Sequence, residues 1–279
     1  MHIFTGIFVF GLGLLIGSFL NVVALRYNTG LSIFHGRSKC FSCGRSLIWK
    51  DLVPFFSFVF LRGKCRGCGS KISFQYPLVE ILTGIIFLGI FLIKLPLVQS
   101  FYYAILASVL IVIAIYDLRH TIVPDGLVYF SAGFGIVGQL IFTLISSPDG
   151  LQFINYLDIF SGIIFFVPFF LLWYFSDGKW IGLGDGKLAL AFGCSLGFAR
   201  GISAIILGFW IGTVVALALM GIQRFVSSRK NAGSGQVFLF LSEKTLTMKS
   251  EIPFAPFLIL GWMVAFFFNV DILGLQMFL

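Results

Sequence analysis

The chain has 279 residues, 59% of them hydrophobic and only 11% charged, and a mean hydropathy of +1.04. So much apolar surface excludes an ordinary soluble domain and demands lipid as the solvent for most of the chain. The net charge of +8 might suggest nucleic acid, but it is concentrated in a few short loops between apolar runs, so the expected partner is the lipid bilayer and not nucleic acid.

A helix needs about 20 apolar residues to cross roughly 30 Å of hydrocarbon. Such runs lie near 3–25, 78–98, 101–116, 126–146, 158–175, 187–199, 202–222 and 254–274. They are too long and continuous for the alternating strands of a barrel, and an open sheet edge cannot be satisfied in lipid. The expected fold class is an all-α polytopic membrane protein of about eight transmembrane helices, with a small cytoplasmic zinc-knuckle loop domain between helices 1 and 2. The chain divides accordingly into a first transmembrane helix (1–25), a four-cysteine domain (26–77) and a membrane domain of about seven helices (78–279). The first run follows Met1 and His2 without a basic start and contains Asn21, which predicts a retained helix and not a cleaved signal peptide.

Of the 19 Lys and Arg, 17 fall in the loops 26–77, 117–125, 176–187 and 223–253, and only Lys94 and Arg200 fall on the other side. The positive-inside rule places those basic loops in the cytoplasm and both termini outside, as expected for a multi-pass protein of the cell inner membrane. Within the last basic loop, segment 226–250 is polar with a short apolar interruption at 237–241 and carries no functional signal.

Four of the five cysteines lie in the first basic loop, as CFSC (Cys40, Cys43) and CRGC (Cys65, Cys68). Two C-x2-C pairs can bring four thiolates to one tetrahedral zinc ion, and a reducing cytoplasmic face disfavours the alternative of disulfides. A closed four-thiolate site has no open coordination position, so the expected role of this zinc is structural. Cys194, alone in an apolar run, reads as a packing residue.

Eleven acids remain to be weighed. Asp117, in YDLRHTIVPD, ends the third run, and Asp185, in GLGDGK, begins the sixth. Both belong to the cytoplasmic boundary. Ordinary alternatives are a salt bridge of Asp117 with Arg119 or His120, and for Asp185 a pairing with Lys187 or a helix cap. The glycines Gly182, Gly184 and Gly186 favour another reading for Asp185, because they strip side chains from its surroundings and let an extended peptide approach. Two facing carboxylates share one proton; the ionised member can activate water while the protonated one polarises a scissile carbonyl. The three His are scattered, so no metalloprotease helix or serine triad competes. A transporter using boundary acids as a cation site is the alternative, and it would place its acids near the midplane.

Six segments, in order, resemble the bacterial prepilin peptidases (type IV leader peptidases), membrane aspartic proteases of the GxGD kind: GSFLNVVALR (17–26), the two C-x2-C pairs, QYPLVEILTG (75–84), YDLRHTIVPD (116–125), GLGDGK (182–187) and IPFAPFLILG (252–261). Tyr116 stands where an aliphatic or Phe is common, and Ala255 where Gly is usual. The resemblance implies that Asp117 and Asp185 are the catalytic pair. It implies as substrate the basic leader of a type IV prepilin or a type II secretion pseudopilin, cut after Gly on the cytoplasmic face. It further implies N-methylation of the new N-terminus with S-adenosylmethionine as methyl donor. Gly182, Gly184, Gly186, Lys187, Glu80 and Asp125 are expected near substrate or cofactor. Glu80 could equally serve the N-terminal dipole of its helix, and Asp125 could cap the fourth.

Overall fold

A computed structural model describes residues 2–146, 156–230 and 253–275; most of the polar segment 226–250 lies outside the described residues. Among them the regular structure is helical: α1 (His2–Arg26), α2 (Phe56–Phe60), α3 (Gln75–Leu92), α4 (Leu97–His120), α5 (Asp125–Ser146), α6 (Tyr156–Phe175), α7 (Leu183–Leu196), α8 (Phe198–Lys230) and α9 (Ala255–Phe267), with one 3-10 turn at Trp49–Asp51. This is the all-α membrane architecture expected from the apolar runs. Each run corresponds to one helix, and α2 is a short addition inside the cysteine loop.

Six helices, α1, α3, α4, α5, α6 and α8, are long and apolar enough to cross a membrane. At 14 and 13 residues, α7 and α9 rise only about 20 Å each. The short α7 does not have to match the hydrocarbon thickness, because α5, α6, α8 and α9 pack around it. Leu188, Ala189 and Phe192 on α7 are fully buried. Small residues at Ala189, Ala191, Gly193 and Ser195 allow those neighbours to approach closely, which is the main source of helix association where lipid removes the hydrophobic drive.

Buried polar side chains tie the helices together. Asn21 Nδ2 donates to the carbonyls of Gly17 (3.2 Å) and Tyr76 (3.3 Å), joining α1 to α3. Trp262 Nε1 donates to Ser195 Oγ at 3.0 Å, joining α9 to α7. Buried hydrogen bonds of this kind fix the rotation of a helix that apolar packing alone would leave free.

The cysteine loop leaves the end of α1 and returns at the start of α3. It contains the same turn twice. Cys40 N–H donates to Arg45 O (3.0 Å) and Gly44 N–H to Cys40 O (2.9 Å); Cys65 N–H donates to Ser70 O (2.8 Å) and Gly69 N–H to Cys65 O (2.9 Å). Gly44 and Gly69, each following the second cysteine of its pair, have φ of 69° and 72°. That left-handed backbone is what a Gly at this place permits.

Candidate active site

Asp117 lies in the last turn of α4 and is only 3% exposed. Its Oδ2 accepts the Ala255 N–H at 3.1 Å. Ala255 is the first residue of α9, so the carboxylate sits against one of the unpaired amides at the positive end of that helix. Two prolines mark this helix start in the sequence IPFAPF, and they were the available signal for this partner, which the sequence reading missed. After Asp117 the chain turns sharply. Thr121, at φ 52°, donates its N–H to Asp117 O (2.7 Å), and Val123 and Pro124 lead into α5.

Asp185 is the third residue of α7, half-buried, with its N–H donating to Gly182 O at 3.2 Å. The turn between α4 and α5 supports this end of α7. A Cβ on Gly184 would come within 2.8 Å of Val123 Cβ, and one on Gly186 within 2.8 Å of Phe169 Cβ. These two glycines therefore serve close packing of α7 on the Val123 turn and on α6. Only Gly182, which is exposed and has just Asp185 Oδ2 nearby at 3.7 Å, borders open space beside the carboxylate. The sequence alone offers all three glycines to an approaching peptide. It could not see that a helix this crowded consumes two of them.

Docking α7 on the turn that follows Asp117 brings the two carboxylates to the same end of the bundle. The simpler partners proposed for each are engaged elsewhere. Arg119 donates from Nε and a terminal nitrogen to Gln75 Oε1, at 3.1 and 3.0 Å. Lys187 Nζ lies 2.7 Å from Asp125 Oδ1 and 5.6 Å from the Tyr129 ring centre, so it bridges α7 to α5 and does not pair with Asp185. Tyr27 packs edge-on against Tyr116 (5.6 Å between ring centres), and Tyr116 against His120 (4.4 Å), beside Asp117. Glu80, in α3, is placed differently. It is buried and accepts the Phe55 N–H at 2.7 Å, which ties the cysteine loop to α3.

In the cysteine loop the ligand atoms of Cys40, Cys43, Cys65 and Cys68 all lie within 4.8 Å of one another. Cys40 Sγ and Cys68 Sγ are 3.9 Å apart, against about 3.8 Å for the edge of a tetrahedron with Zn–S bonds of about 2.3 Å. Backbone N–H groups of Cys43 and Ser42 and the Ser70 hydroxyl lower the Cys40 pKa to about 6. The Ser70 hydroxyl also lowers that of Cys68. The chemistry and spacing of these sulfurs fit a four-coordinate zinc ion.

Residues 11–93 match the family model described as the Bacterial Peptidase A24 N-terminal domain, and residues 104–217 that of the Type IV leader peptidase family. A Prepilin leader peptidase/N-methyltransferase of Bacillus subtilis is 30% identical over 96% of this chain and 95% of its own. A Type 4 prepilin-like proteins leader peptide-processing enzyme of Escherichia coli is 32% identical over 89% of this chain and 88% of its own. A Prepilin leader peptidase/N-methyltransferase of Myxococcus xanthus is 32% identical over 77% of this chain, and the match spans 63% of that protein's length. No solved structure matches the chain significantly.

Proposed function

The chain belongs to the type IV leader peptidase family, and from that premise we propose that it is an aspartic endopeptidase that removes the leader of prepilins or pseudopilins. The observation that carries the reading is the pair of carboxylates, Asp117 from the last turn of α4 and Asp185 from the first turn of α7, brought to one end of the bundle where α7 docks on the turn after Asp117. The chain also spans the membrane, with six helices long and apolar enough to do so. The excess of basic loops at the carboxylate end supports placing that end in the cytoplasm and the protein in the inner membrane.

The chemistry follows from two acids sharing a proton. The ionised carboxylate takes a proton from water as the water attacks the scissile carbonyl carbon, and the protonated one donates to the carbonyl oxygen. The tetrahedral intermediate then collapses with transfer of a proton to the leaving amine, and the pair returns to one shared proton. The Ala255 N–H holds Asp117 in orientation through this cycle. The bond cut lies after a Gly of the leader. Gly182, which leaves room beside Asp185, is where the extended substrate backbone passes. Placement at the helix ends, in the last turn of α4 and the first of α7, disfavours a transporter, whose ion-binding acids belong near the midplane.

Methylation of the new N-terminus comes to this chain from the names of its relatives. S-adenosylmethionine would supply the methyl group. The described residues hold no strand-to-helix glycine turn of the nucleotide-binding kind, and none is assigned to the donor. Zinc, held by Cys40, Cys43, Cys65 and Cys68, would have a structural role, since four thiolates close its coordination.

The test is mass spectrometry of a prepilin incubated with the purified protein, with and without S-adenosylmethionine. The native chain should release the leader and, with the donor present, add one methyl. Asp117→Asn and Asp185→Asn should each lower cleavage by on the order of 10³-fold or more while the protein keeps its folded elution profile. Full processing by the double Asn variant would rule out the two-carboxylate mechanism.

A further inference from the structure

The cysteine loop joins two consecutive membrane helices, so it necessarily lies at the membrane surface where α1 ends and α3 begins. Its side chains there are not what a water-facing module would show. On one side, Arg26 at the end of α1 donates to the carbonyls of Ser32 (2.6 Å) and His35 (3.0 Å) and folds that segment back along the helix. Phe34 thereby reaches Phe19, 6.1 Å between ring centres, although Phe19 is seven residues, or about 10 Å, inside α1. Phe34 is nevertheless 83% exposed.

On the other side, the hydrogen bond from Phe55 N–H to Glu80 reaches five residues, about 7 Å, into α3. It seats the short α2 beside the membrane-entering end of α3, and Phe58 packs on Phe74 at 6.1 Å between ring centres. Phe74 heads a stripe of exposed side chains on α3, continued by Leu78, Leu82 and Ile85. The outward face of α2 likewise exposes Phe56, Val59 and Phe60, spaced as one side of a helical turn, and Trp49 shares a groove with Phe56 and Phe60. Trp49, Val53, Phe56 and Phe60 line a shallow groove of about 260 Å³. Lys50 Nζ sits 5.4 Å from the centre of the Trp49 ring.

Charge identifies the occupant. Residues 26–77 contain nine Lys and Arg against a single acid, Asp51, which is paired with Arg66 at 2.9 Å. A four-thiolate zinc site would offset only two of those charges. Aromatic and aliphatic groups flanked by Lys and Arg, continuous with the lipid-facing side of spanning helices, match an anionic bilayer surface. An apolar protein partner would explain the aromatic residues but not this charge.

We propose that the cysteine loop is an interfacial membrane-binding module that rests on anionic lipid through two apolar feet, Phe34 beside α1 and Phe56, Phe60 and Trp49 beside α3. The basic residues around the feet meet the headgroups. The module is thus held against the bilayer by contacts of its own as well as by its two covalent connections, and its tilt responds to lipid charge. This inference does not depend on the chain's peptidase activity.

The experiment uses the full chain in lipid nanodiscs carrying Phe60→Trp or Phe34→Trp, aromatic replacements at exposed positions. Emission of the added tryptophan is read by difference from the parent protein. Acyl-chain-brominated phosphatidylglycerol should quench it about two-fold, whereas aqueous iodide should have little effect. Brominated phosphatidylcholine should quench it less. Strong iodide quenching without lipid quenching would overturn the proposal by showing the feet in water. Protection from both quenchers would overturn it in favour of a protein partner on the same face. Equal quenching in the two lipids would overturn the role given to the basic residues.

Discussion

Asp117 and Asp185 differ in how firmly they are held: one accepts a backbone amide, while the other stands over the first turn of a helix with an exposed glycine beside it. A pair that works with one shared proton should give a bell-shaped dependence of kcat/KM on pH. Activity falls on the acid side, where both groups are protonated and no base remains, and on the alkaline side, where both are ionised and no acid remains. A profile with a single ionisation would remove one aspartate from the chemistry. Lys187 is the other residue to test here, since its pairing with Asp125 spans α5 and α7 just beyond Asp185. Asp125 is largely exposed, so the pair contributes at most about 1 kcal/mol, and Lys187→Met should slow cleavage by no more than about five-fold. The exchange Asp125→Lys with Lys187→Asp should recover part of that loss in the same assay. Both acids proposed for the site stand out in the sequence because few acids border apolar runs. The Ala255 amide could not, because a backbone donor has no letter of its own.

Among the elements, α7 determines where Asp185 stands. Its first turn is wedged against Val123 and Phe169. Gly184→Leu should therefore push α7 off the turn after Asp117. Overpacking of this kind costs roughly 1–3 kcal/mol, visible as a lowered unfolding temperature in detergent together with loss of cleavage. Gly182→Ala, with open space around it, should leave the unfolding temperature unchanged. The helices are legible from apolar runs, and 187–199 is the shortest of those runs. What the runs concealed was the reason for it: a helix enclosed by protein is not bound by the thickness of the bilayer. Helix ends were also set by more than hydropathy. The fourth helix continues to His120, past the apolar run that ends at 116, because backbone hydrogen bonding persists into the polar boundary that carries Asp117.

At the scale of the whole molecule, the cysteine loop meets the helical body at Glu80, and Arg119 ties α4 to the start of α3 at Gln75. The metal-ligand spacing was plain in the sequence. The use of Glu80 as an anchor for that loop was not, since a carboxylate meeting a backbone N–H 25 residues away leaves no pattern in the sequence. Replacing Cys43 or Cys68 with Ser should lower bound zinc from about one equivalent to a small fraction of it, measured by elemental analysis of the purified protein. The same variants should make the loop between α1 and α3 more sensitive to protease, leaving the helical content of the membrane body intact. The match to the Type IV leader peptidase family model ends at residue 217, whereas the amide that braces Asp117 is supplied by residue 255. A chain shortened to that matched segment would retain both carboxylates and lose the brace on one. On the proposed mechanism the working unit reaches past residue 217 into α9, and changes near Ala255 belong with changes to the candidate active site.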